Sequence, residues 1–143
     1  MKTFLLILFF SKTIPLTTEP VTIISEMTIH PDEPLSAITK GASVKIDISK
    51  MLPNANVKSS GILEAQALIE ERIPYRSTRA RLITEDDTEI TLSDYGIALS
   101  NDGAWYSLSA RNGVPTDLEF TKVIIESSVE LRDVRVFWRN YKH

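Results

Sequence analysis

Ser43-Val44-Lys45-Ile46-Asp47-Ile48-Ser49 is the cleanest alternating stretch of the chain. Successive side chains of a strand point to opposite faces, so Val44, Ile46 and Ile48 share one side. Ser43, Lys45, Asp47 and Ser49 share the other. One apolar and one polar face is the pattern of a half-buried strand in an antiparallel sheet.

The same rhythm extends in both directions. Towards the N-terminus, Val21, Ile23, Met27 and Ile29 alternate with Thr22, Glu26 and Thr28. His30-Pro31-Asp32-Glu33-Pro34 ends that strand, because proline cannot donate to a ladder. Towards the C-terminus, Ser49 to Ser60 reads as a loop with one helical turn at Met51-Leu52. Gly61 to Ile73 reads two ways. Leu63, Ala65, Ala67 and Ile69 alternate, and the β context predicts a strand. The alternative is one short helix, with Ile62, Ala65 and Ile69 on a common face. Ser77 to Ile83 and Thr88 to Leu92 flank an acidic turn at Glu85-Asp86-Asp87. Ile97 to Ser100 and Ala104 to Ala110 flank Asn101-Asp102-Gly103, a hairpin signal. After the turn at Asn112-Gly113-Val114-Pro115 come Phe120 to Glu126 and Leu131 to Tyr141. These two are predicted to pair around Ser127-Ser128-Val129-Glu130. Short strands with turns between them and no βαβ rhythm predict an all-β fold. The expected architecture is an antiparallel two-sheet sandwich, jelly-roll-like, with residues 21–143 as a single domain.

Composition sets the outer limits. The 143 residues are 43% hydrophobic and 24% charged, which fits one domain with a real core and not a disordered chain. There is no cysteine, so disulfides, thiolate metal sites and cysteine nucleophiles are excluded. Net charge is −3, too balanced for a nucleic-acid partner. The start is different. Met1-Lys2-Thr3 precedes the apolar run Phe4 to Phe10, and Ser11-Lys12-Thr13-Ile14-Pro15 follows. A basic start and a short apolar run resemble a secretory signal. The run is too short for a membrane span, which needs about 20 residues. Lys12 stands where a cleavage site wants small neutral residues. Residues 1–20 are therefore expected to be a signal peptide, or else an arm packed on the body or on a neighbour. The signal reading places the protein outside the cytoplasm, secreted or periplasmic.

Catalytic signatures are sparse. The histidines are His30, in an apparent turn, and His143, the last residue. No phosphate-cradling glycine loop or H-E-x-x-H motif occurs. Glu85, Asp86, Asp87 and Glu89 cluster, but at no calcium-loop spacing. Paired carboxylates for a small hydrolase are always available among nineteen acids, which carries little weight. Arg79 and Arg81 share a strand face with Glu89 and Thr91 as cross-strand partners. The expectation is a non-enzymatic protein with no metal and no cofactor.

The last strand and the hairpin hold the candidate binding residues. Val134, Val136 and Trp138 fall on one face, which reads as core. Asp133, Arg135, Phe137, Arg139 and Tyr141 fall on the other. Alternating arginines and aromatics are enriched where surfaces meet partners. Trp105 and Tyr106 are adjacent, so one faces the core and the other faces out. Trp105, Tyr106, Arg135, Phe137, Arg139 and Tyr141 are the candidate site.

At the level of fold, Ala42 to Ile48 as an opening strand and Leu131 to Trp138 as a closing one resemble the jelly-roll and related sandwiches. Many of these serve as carbohydrate-binding or accessory modules. That resemblance implies an exported binding module that recognises a glycan or protein partner through a sheet face, with oligomers possible. The alternative is a structural or assembly subunit, such as a virion or surface component, that keeps its N-terminal arm.

Overall fold

A single strand of 23 residues, Glu119–Tyr141, organises the molecule. In this computed structural model, residues 11–52, 62–100 and 103–141 are described. Along one side of the long strand lie β1 (Ser11–Pro15), β2 (Val21–Ile29) and β3 (Leu35–Ser36), all antiparallel to it. On its other side, β4 (Ser43–Asp47) covers the C-terminal half. β5 (Thr78–Thr84) covers the N-terminal half. β6 (Glu89–Leu92) pairs with β5. β7 (Asp94–Ser100) and β8 (Gly103–Ser109) form a hairpin whose second strand pairs with β4. The long strand is β9. The order β6-β5-β9-β4-β8-β7 makes one nine-stranded sheet, with β1, β2 and β3 on the free side of β9. The fold is thus mostly antiparallel β with one short helix, and the sheet is bent nearly into a barrel.

The bend sits in β9, where the sequence predicts a hairpin. Phe120 to Glu126 and Leu131 to Tyr141 do not pair with each other but continue one another. Between Val21↔Val134 and Ser25↔Ser127, four steps of β2 face seven of β9, so β9 carries three extra residues as bulges. A bulge sharpens twist and bends a strand without ending it. The backbone polar groups that a turn would have satisfied are taken up sideways. Ser128 N donates to Ser77 O at 2.9 Å, and Ser127 Oγ donates to Val129 O at 2.7 Å. Asp133 takes a positive φ of 52° at the end of this stretch. Here β9 exchanges β5 for β4 as its neighbour.

Alternation puts the predicted residues inside. Val44, Ile46, Leu108, Val134, Val136 and Trp138 are fully buried, and Ile48 is nearly so. They meet Ile23, Leu82, Leu92, Phe120 and Ile125 in one cluster. Each fully buried aliphatic or aromatic side chain contributes roughly 1.5–3 kcal/mol of transfer free energy.

The 61–73 stretch corrects the β-context expectation. Ile62–Arg72 is an α-helix, α1. Ala65 and Ile69, one turn apart, are buried, as is Ile73 just beyond. Leu63, which a period-two strand would bury beside Ala65, is 82% exposed. Leu, Glu, Ala and Gln are strong helix formers, and no β-branched run opposes them. Pro74 follows and cannot continue the helix. The helical turn expected at Met51-Leu52 lies earlier, as a 3-10 turn over Ser49–Met51, and Leu52 is already extended.

Candidate functional site

The outer face of the β1-β9-β4-β8-β7 half carries the candidate residues. Register fixes their neighbours. In one row, Arg135, Asp47, Trp105 and Ala98 lie side by side across β9, β4, β8 and β7. In the next, Pro15, Phe137, Lys45, Ser107 and Gly96 do so. A third row holds Thr13, Arg139, Ser43, Ser109 and Asp94. Strands lie about 4.8 Å apart, so Trp105 and Arg135 sit roughly 10 Å from one another with β4 between them.

Two aromatics meet over β4. Trp105 and Phe137 approach edge to face, with ring centroids 5.4 Å apart. That geometry opposes the ring quadrupoles favourably. Lys45 is in register with Phe137 and one row along from Trp105, and its Nζ is 5.0 Å from the Trp105 ring centroid. Burial, and then the charge of Arg139, hold the Lys45 ammonium below the usual lysine range. Asp47, the carboxylate nearest the centre, is turned along its own strand. Its Oδ1 accepts from Ser49 N at 3.0 Å and from Ser49 Oγ at 2.6 Å. Ser49 Oγ in turn accepts from Ala104 N at 3.0 Å, tying β4 to the start of β8.

Beside Trp105 the floor is low. Ala98 is its partner on β7, and a Cβ added to Gly96 would meet nothing within 4 Å. The face is thus an aromatic ledge and cationic groups beside a flat shelf of small side chains.

The candidates divide as follows. Trp105, Phe137 and Arg139 are half-buried on this face, and Arg135 is exposed on it. Tyr106 does not belong to the face. It is 1% exposed on the inner side, paired in register with Ile46. Adjacent strand residues point oppositely, so placing Trp105 outward forces Tyr106 inward. The Tyr106 ring stacks on Tyr95, centroids 5.4 Å apart and planes 7° apart, and its hydroxyl has no hydrogen-bond partner among the described residues. Burial, and then Tyr95, push that hydroxyl up to about 12. The Tyr141 backbone pairs with Ser11, while its side chain lies outside the described residues. Sequence reading missed Lys45, Asp47 and Gly96. The alternation of 43–49 put Lys45 and Asp47 on an outward face, but nothing local says which strands flank β4.

The other charged groups are organised by the fold. Glu126 Oε1 accepts from Arg79 Nε at 2.8 Å and from Arg81 Nε at 3.0 Å, while Arg81 also reaches Glu89. In the β5–β6 turn, Asp86 Oδ1 accepts from the Thr84 and Thr88 hydroxyls, with Asp87 at a positive φ of 69°. These hydroxyl bonds hold the Asp86 carboxyl below its usual range. Among the described residues no three histidine, aspartate or glutamate side chains gather as metal ligands. His30 is exposed and lines a cleft of about 980 Å³ between the 16–20 and 30–34 loops, rimmed by Glu19, Asp32 and Glu33. No helix among the described residues is long and apolar enough to cross a membrane.

Comparison with protein-family models, with curated proteins and with solved structures found no match.

Proposed function

We propose that this chain is a non-catalytic binding or accessory module that recognises a glycan through the outer face of β9, β4 and β8. Trp105 carries the reading. It is a half-exposed indole on the strand between β4 and β7, in edge-to-face contact with Phe137 and bordered by Ala98 and Gly96. A sugar ring presents a flat face of C–H groups that packs on such an indole, and the low shelf leaves room for it. Arg135 and Arg139 supply planar donors for hydroxyls at the rim. In this reading the bent sheet is a jelly-roll-like sandwich whose outer layer is the recognition surface, and the protein works outside the cytoplasm.

A glycan array tests the proposal. The full chain is expected to bind at least one saccharide class, and Trp105→Ala is expected to lower that binding about tenfold or more while the fold persists. An array without a single saccharide hit would remove the proposal.

A second reading, an assembly subunit that keeps its N-terminal arm, is favoured by one observation. β1 lies within the first 20 residues and is paired along β9. Mass spectrometry of the natural protein, with light scattering, separates the two. A retained start in a high-order particle supports assembly, and a monomer lacking residues 1–20 supports export.

A further inference from the structure

We infer that β7 pairs edge to edge with β7 of a second copy of this chain, antiparallel about a two-fold axis at Ile97. The inference rests on the strand edges and not on the glycan-binding reading. Alternate residues of an antiparallel strand turn their N–H and C=O groups away from their partner. A strand at the end of a sheet therefore offers a row of such groups to another chain, and proteins blunt such edges with short strands, proline, lysine, other charges or bulges. Among the described residues, every other free edge is blunted in one of these ways. β1 ends on Pro15 and carries Lys12 in its sequence. β2 has two register shifts, with Ser25 at a positive φ of 66°. β3 has two residues, and β6 has four, the first of them Glu89. β7 is the exception. It ends the sheet order and pairs, among the described residues, with β8 alone, from Asp94 to Ser100 without a register shift. It holds no proline and no lysine, and its single charged residue, Asp94, stands at one end.

The sequence of this strand suits its own copy. A two-fold contact sets one patch against itself, so β7 runs antiparallel to its mate. With the axis at Ile97, Tyr95 stands opposite the mate's Leu99, Gly96 opposite its Ala98 and Asp94 opposite its Ser100. Inner residues then meet inner ones, and the two Asp94 lie at opposite ends, about 20 Å apart along the strands. No like charges oppose each other. The inner row also loses its cover at this edge. Ala104, Tyr106 and Leu108 on β8 are buried, while Leu99, Ile97 and Tyr95 beside them on β7 are half-buried. A mate's strand continues that row. The joined sheet keeps one outer face, with the two Trp105 positions roughly 16 Å apart.

Sedimentation velocity of the full chain, from low to high micromolar concentration, tests the pairing. A one-strand contact falls below the standard interface size, so a reversible dimer is expected, with monomer at the dilute end. The chain has no cysteine, so a single introduced thiol reports the register. Ile97→Cys sets two thiols across the axis, where opposed Cβ atoms lie about 5 Å apart, and mild oxidation is expected to link the copies. Asp94→Cys sets them at opposite ends and is expected to stay unlinked. Ile97→Lys opposes like charges on the axis and is expected to weaken the dimer about tenfold, with circular dichroism checking its fold. A monomer at every concentration overturns the pairing. A dimer in which Asp94→Cys links as readily as Ile97→Cys, or which a folded Ile97→Lys leaves unweakened, overturns its placement on β7.

Discussion

Tyr106 is placed at a cost. Its ring is buried against Tyr95, and its hydroxyl lacks a protein partner among the described residues. An unpartnered buried hydroxyl carries a desolvation penalty of about 1–3 kcal/mol. Tyr106→Phe removes the hydroxyl and keeps the ring. At neutral pH its stability to urea should therefore not fall, and should rise by up to about 1 kcal/mol. The larger effect lies at alkaline pH. A tyrosine in the unfolded chain ionises near 10, whereas burial moves Tyr106 to about 12. The stability tied to its neutral form is complete below pH 10. It drains away as pH rises from 10 through the folded value, because the unfolded chain loses its proton first. The loss is on the order of 2 kcal/mol. Urea midpoints across this interval should decline more steeply for the native chain than for Tyr106→Phe. Parallel decline in both would show that the Tyr106 hydroxyl ionises alike in the two states.

At the scale of elements, the β5–β9 ladder is clamped on its outer side. Arg79 and Arg81 both hold Glu126, and Arg81 bridges onward to Glu89 on β6. The two arginines hold the Glu126 carboxyl below its usual range, with the Arg79 hydrogen bond the largest cause. Its stabilising effect is present above the unfolded value, near 4.3, and disappears as pH falls through the folded one. The side chains are partly exposed, so the gain is screened to about 1 kcal/mol or less. Glu126→Gln should cost that much at pH 7 and nothing at pH 2, measured by chemical unfolding. An equal cost at both pH values would point to lost packing rather than lost charge. The elements also show what was readable in advance. Thr78–Thr84 and Glu89–Leu92 stand within a residue of the predicted strands, because period-two alternation around a turn is local information. Ile62–Arg72 was ambiguous for a physical reason. Ala65 and Ile69 are four apart and satisfy both periods, so only the exposure of Leu63 decides between them.

For the whole molecule, β9 is the spine, and β1 shares one of its sides with β2 and β3. Ile14 pairs with Trp138, Leu16 N donates to Val136 O at 2.8 Å, and Val136 N donates to Thr17 Oγ1 at 3.0 Å. Removing residues 1–16 strips this edge and uncovers part of the apolar surface over Trp138. The expected cost is about 2–4 kcal/mol, from several hydrogen bonds near 1 kcal/mol each plus two half-buried aliphatic side chains. Chemical unfolding of the shortened chain measures it. A cost below about 1 kcal/mol would show that β1 is an accessory of the body rather than part of it. The bare edge of β9 should also promote self-association, visible by light scattering.

Much about this protein is written in its sequence. The alternation of Val44, Ile46 and Ile48, and of Val134, Val136 and Trp138, determined an all-β chain and named its interior, because strand periodicity and burial are properties of neighbours in sequence. The pairing of Trp105 with Asp47, of Asp47 with Arg135, and of Lys45 with Phe137 was decided by tertiary structure alone. Those partners are roughly 60 to 90 positions apart, and which strand lies beside which depends on how the whole apolar surface closes. The continuity of β9 belongs to the same class. Ser127-Ser128-Val129-Glu130 has the composition of a turn, and the pairing of Ser127 with β2 and β5, with Ser128 N bonded to Ser77 O, carries the chain on through a bend instead of a hairpin.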